Sequence, residues 1–155
     1  MTPVFLETAS SGLLVLHALV GMGLLGASTH LAIGAIQLHR GKSSALRLVR
    51  RHSVIVAALL GTAMLLGLLM YPHYRVHVRG WVLDRDQPWA SNLFDIKENF
   101  AALALPLSAC TLGIGRRIEL ADPLSRLFVV CAVTLWALVA FVAVAGLLVT
   151  SVKGV

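Results

Sequence analysis

Two stretches of this chain, 53–71 and 127–150, contain no Asp, Glu, Lys or Arg. A soluble helix needs polar residues on the face it turns to water, and these stretches have no such face. A bilayer core is ~30 Å thick and is crossed by ~20 helical residues, so runs of this kind are read as membrane spans. Two further runs match in length. The first, 13–38, is apolar apart from His17, Ser28, Thr29, His30 and Gln37, and the other, 93–114, carries Asp95, Lys97 and Glu98 in its first turns. Lipid offers no partner to backbone amides and carbonyls, so each span must satisfy its own, as a helix does. The expected fold is an all-α membrane protein: one transmembrane domain over 1–155, built as a four-helix bundle with spans at about 13–38, 53–71, 93–114 and 127–150.

Composition agrees. Hydrophobic residues make up 58% of the 155, and only 13% are charged, where soluble domains carry about 25% charged residues. Mean hydropathy is +0.86. Met1 to Ser10 contain no Lys or Arg, and Glu7 is acidic, whereas a secretory leader begins positively charged. The first span is therefore expected to be retained.

Charge sets the direction. Loops 39–52 and 115–126 share one side and hold Arg40, Lys42, Arg47, Arg50, Arg51, Arg116, Arg117 and Arg126, against two acids, Glu119 and Asp122. The other side holds Arg75, Arg79, Arg85, Lys97 and Lys153, balanced by Glu7, Asp84, Asp86, Asp95 and Glu98. The positive-inside rule places the first side in the cytoplasm and both termini outside, with the bacterial inner membrane as the expected location. The net charge of +6 is thereby used up in orientation, which removes the case for a nucleic-acid partner.

Small residues recur at helical spacing: Gly23, Gly26, Ala27 and Gly34 around His30, Gly61 and Gly67 in the second span, and Ala132, Ala137, Ala140, Ala143 and Gly146 in the fourth. Such faces let membrane helices approach closely. Pro106, in the middle of the third span, should kink it. Cys110 and Cys131 have no metal-ligand spacing and are read as reduced packing residues. Spans one and two do not match spans three and four in polar pattern, which weakens an inverted-repeat transporter reading.

An ionisable residue within a span points to function, because its burial in lipid is expensive. His17, His30 and His52 are the candidate ligands for haem b, since histidines on facing helices are how four-helix bundles hold that group. Glycines beside His30 would let a porphyrin approach. Three features count against it. His17 and His30 are 13 residues apart and point about 220° from each other on a helix. Spans three and four contain no histidine. His52, at the start of span two, should lie nearer the interface than His30. The alternative is that these histidines hydrogen-bond across helices.

The outer connection, 72–92, is expected to be an ordered loop. His73, Arg75, His77 and Arg79 alternate with Tyr74, Val76 and Val78, a period of two that predicts an extended segment. As a helix instead, it would place His73 and His77 one turn apart as two metal ligands, too few for a closed site. Trp81 and Trp89 are read as interface anchors with Tyr71 and Tyr74. Asp95 is stabilised by the helix dipole, Lys97 snorkels outward, and Glu98 takes Arg75 or Arg79 as partner. Together with His17, the residues Arg75, Arg79, Lys97 and Glu98 form the expected outer polar cluster, suited to pinning the loop, binding a quinone headgroup or carboxylate, or relaying a proton.

No nucleophile elbow, zinc-protease helix, P-loop or dinucleotide fingerprint is present, and an enzymatic role is not expected. The leading expectation is an accessory subunit of a larger respiratory or redox membrane complex, with other membrane subunits or a second copy as partners. A haem- or quinone-binding electron carrier comes second. A proton or small-solute carrier comes third.

Overall fold

Long helices separated by tight turns account for nearly all of the chain in the computed structural model, which describes residues 7–152. After a 3-10 turn at Glu7–Ala9 come α1 (Ser10–His39), α2 (Ala45–His73), a π-helical segment (Tyr74–Leu83), a helical turn (Asp84–Asp86), α3 (Pro88–Arg117) and α4 (Ser125–Val152). No strand occurs among the described residues. The placement of both termini, including Lys153, lies outside the described residues.

The turn after α1 follows from one glycine. Gly41 adopts φ 81°, a conformation that costs other residues energy through their Cβ. Its amide donates to Leu38 O, and the Lys42 amide donates to Gln37 O, the paired bonds of a Schellman cap. α2 then begins at Ala45, well before the expected start at 53. The basic residues Arg47, Arg50 and Arg51, taken as loop, form its first two turns. Between α3 and α4 the Asp122 carboxylate accepts from the Leu124 amide at 2.8 Å. The Arg50 guanidinium donates to Ile118 O at 2.9 Å, tying α2 to that connection.

Each long helix packs on two others: α1 and α3 each touch α2 and α4. The core between them recurs at spacings of seven or four residues, with Leu24, Leu31 and Leu38 of α1, Val49, Val56 and Leu60 of α2, Ala104 of α3, and Phe128, Leu135 and Val139 of α4. Large apolar side chains also cover the outside, among them Leu147 (71% exposed) and Leu68 (66% exposed). α1, α4 and the continuous helix from Ala45 to Asp86 are each long and apolar enough to cross a membrane. α3 falls short of that measure; Asp95, Lys97 and Glu98 stand in its first three turns. It runs unbroken through Pro106, on a side exposed outside the core.

The expected extended loop is absent. Helix continues through Pro72 and widens into π geometry directly after it. Pro72 has no amide to give and its ring crowds the carbonyl four residues back, so the hydrogen-bond register changes there. The strand preference of Val and Tyr is overridden by tertiary burial. Tyr74, Val78 and Leu83 pack with Ala90, Phe94 and Val149 into a second apolar cluster; a strand would turn Leu83 to the face opposite Tyr74 and Val78, whereas helical steps of four and five residues bring all three onto one face.

Small residues have distinct uses. A Cβ at Gly34 would run into Leu48 and Val49, and one at Gly115 into Ser53 and Phe128, whereas Gly26, Gly61 and Gly113 have nothing within 4 Å. Gly34 and Gly115 therefore close helix pairs, α1 on α2 and α3 on α2.

Candidate functional site

The polar side chains gather at two levels. Toward the α1–α2 turn, His30 of α1 faces His52 of α2 with ring centroids 5.6 Å apart and planes 23° from parallel. The expectation that His52 lies nearer the interface is corrected: because α2 starts at Ala45, His52 sits two turns inside it. His30 Nδ1 lies 2.8 Å from Gly26 O and His52 Nδ1 lies 2.9 Å from Leu48 O. A carbonyl only accepts, so each Nδ1 carries the proton, and in the neutral ring Nε2 keeps its lone pair. Anchoring one ring nitrogen on a carbonyl while the other stays free is how ligating histidines are oriented. His30 is exposed on the outer side of the α1–α2 seam, and His52 is partly buried. Of the glycines near His30, Gly26 is open and Gly34 is filled by α2.

Toward the π-segment end of the bundle, His17 of α1 lies against Gly67 of α2, close to the Ala63 backbone. Its Nδ1 is buried with no hydrogen-bond partner. Lys97 does not snorkel outward. Its ammonium stands 4.9 Å over the Phe94 ring, and its chain lies along Gly146 of α4. Phe94 in turn stacks on Tyr74 at 4.0 Å. The glycines explain the arrangement, since Gly67 and Gly146 leave room for an imidazole and a lysine stem between helices. His17 and Lys97 thus share a layer to which all four long helices contribute.

Arg79 takes a different partner from the expected one. It donates to both Asp95 oxygens, at 2.6 and 3.0 Å, and lies 3.5 Å from Asp84. The Ser91 hydroxyl donates to Asp84. Asp95, read from sequence as a helix-dipole residue, is therefore the anchor that fastens the π segment to α3. The reason is register: Arg79 reaches the first turns of α3, and Glu98 is one turn deeper. Arg75 is exposed and stands outside this group, and Glu98 is partly buried. The outer cluster thus splits into the Arg79–Asp95–Asp84 clamp and the interior His17–Lys97 layer. His73 and His77 come together, with rings 4.7 Å apart and tilted by 33°, as the helical alternative requires. No group of three or more His, Cys, Asp or Glu suited to a metal occurs among the described residues.

Two contacts have no counterpart in the sequence reading. Trp136 Nε1 donates to Thr29 Oγ1 at 3.0 Å, and Thr29 donates onward to Leu25 O at 2.8 Å. α4 therefore carries a polar tether to α1. His39 Nδ1 lies 3.0 Å from Ser125 Oγ. A lone Trp in the middle of a span was the available signal for the first. Cys110 and Cys131 are both free thiols.

Apolar helices of membrane-crossing length make this a small helical membrane protein. No protein-family model, curated protein or solved structure matches the chain.

Proposed function

We propose that this chain is a non-catalytic subunit of a larger redox membrane assembly in a bacterial cytoplasmic membrane. All four long helices cross the bilayer as a bundle, with the outer ends of α1 and α4 on the non-cytoplasmic side. The observation that carries the proposal is the His30–His52 pair. Both rings are held by their own helices, and His30 opens to the surface that the bundle turns toward lipid. An unpaired polar nitrogen in hydrocarbon costs on the order of a few kcal/mol, so such a face is favoured when a neighbouring subunit or a bound group covers it. The small number of polar residues and the absence of a catalytic pattern fit a subunit better than a free-standing enzyme.

A second reading has its own support. With Nδ1 of each ring donating to a carbonyl, the two Nε2 atoms are the donors that a b-type haem iron would use, and open space at Gly26 is where a porphyrin edge would lie. When bound, haem would supply one-electron transfer. His17, 13 residues away along α1, is not brought to this pair.

One preparation tests both. The chain, purified from its native membrane in mild detergent, is run on a native gel and scanned in the visible. Stoichiometric partners, released by His30→Leu, support the subunit reading, and a lone chain contradicts it. A Soret band, with α and β bands on reduction that His30→Ala and His52→Ala each abolish, supports haem. A flat visible spectrum from a haem-replete culture removes the haem reading.

A further inference from the structure

At the inner end of α2 an open groove of about 580 Å³ is lined by Ser43, Leu46, Arg47, Arg50 and Arg51. It contains three guanidinium groups and no carboxylate. None of the three forms an ion pair among the described residues. The neighbouring groove at the same end, about 930 Å³, differs: Asp122 lines it beside Arg116 and Arg117. Positive charge is therefore left uncompensated at the first groove.

The three arginines are not equivalent. Arg50 is engaged with Ile118 O at 2.9 Å. Arg47 and Arg51 are exposed and stand four residues apart, so they are neighbours on one helix face. Two guanidinium forks at that spacing suit the oxygens of a single phosphate. The same face continues toward the bilayer centre through Val54, Ala58, Gly61 and Leu65. All four are exposed, and Gly61 has nothing within 4 Å. The small residues Ala58 and Gly61 leave a shallow furrow between the larger Val54 and Leu65.

We propose that this face of α2 binds an anionic phospholipid of the inner leaflet. Arg47 and Arg51 hold the headgroup phosphate with the Ser43 hydroxyl beside it, and one acyl chain lies along Val54, Ala58, Gly61 and Leu65. A free phosphate would satisfy the arginines alone. The apolar furrow running on from them is what selects a lipid.

Native mass spectrometry of the detergent-purified chain tests this, with equal amounts of phosphatidylglycerol and phosphatidylcholine added and inorganic phosphate as competitor. Phosphatidylglycerol should be retained over phosphatidylcholine by about thirtyfold, from two arginines near an anionic group. Arg47→Gln with Arg51→Gln should abolish that preference, while Arg116→Gln with Arg117→Gln keeps it. Gly61→Leu, which leaves every arginine in place, should lower retention of both lipids by filling the furrow. Equal retention of the two lipids by the unaltered chain overturns the proposal. So does displacement of phosphatidylglycerol by millimolar inorganic phosphate, which would make this a free-anion site.

Discussion

A glycine is informative here only through what stands opposite it. Gly115 meets Ser53 and Phe128, while Gly113, two residues earlier on the same helix, meets nothing. Gly115→Ala should therefore overpack the α2–α3 contact and destabilise the protein by about 1–3 kcal/mol, lowering its melting temperature in detergent. Gly113→Ala should leave that temperature unchanged or raise it slightly, because alanine favours helix over glycine by ~0.5–1 kcal/mol. Equal losses for the two would show that the close approach at Gly115 carries no weight. Composition alone does not separate these glycines, since each follows a large apolar residue, Leu112 or Ile114. The same holds for the histidines. His17, His30 and His52 stood out in sequence because ionisable groups are scarce within the spans. Whether His30 pairs with His52 was left open by sequence, because it depends on where α2 begins, and that start is set by a glycine turn at Gly41 and not by hydropathy.

Among the elements, the π segment departs furthest from its expectation. Alternating His/Arg and Val/Tyr reads as a strand when each residue is weighed by local preference. Burial of Tyr74, Val78 and Leu83 against α3 and α4 decides it otherwise, and no local pattern contains that information. The Arg79–Asp95 clamp is the segment's main polar attachment. Arg79→Ala should raise amide hydrogen exchange over residues 74–83 while leaving the middle of α1 and α4 protected. The effect should be about 0.5–1 kcal/mol, since the pair is partly exposed and screened. The exchanged pair, Arg79→Asp with Asp95→Arg, should recover part of the protection. Unchanged exchange in Arg79→Ala would assign the segment's stability wholly to the apolar cluster. A tether between α1 and α4 makes a parallel case: Trp136→Phe removes the donor to Thr29 while keeping the ring, and should lower stability by about 1 kcal/mol, read as an earlier thermal midpoint.

For the whole molecule, helical class and long apolar runs were legible from charge-free sequence, because lipid permits few alternatives. Which helices touch was not, because in lipid all apolar faces look alike and contact is chosen by small residues and a few polar bonds. α3 is the least apolar of the four long helices. It carries Asp95, Lys97 and Glu98, and it falls short of the hydropathy that marks the other three helices. The proposed architecture still requires it to cross, with its charged end held at the outer surface by the Arg79 clamp and by Lys97 folded over Phe94. Single cysteines placed at Arg85 and Leu120, in a chain with Cys110→Ser and Cys131→Ser, flank α3 on either side. Intact spheroplasts are then treated with a membrane-impermeant maleimide. A crossing α3 predicts labelling at position 85 without permeabilisation, and at position 120 only after it. Labelling of both positions from the same side would contradict four crossings and leave α3 lying along the membrane surface.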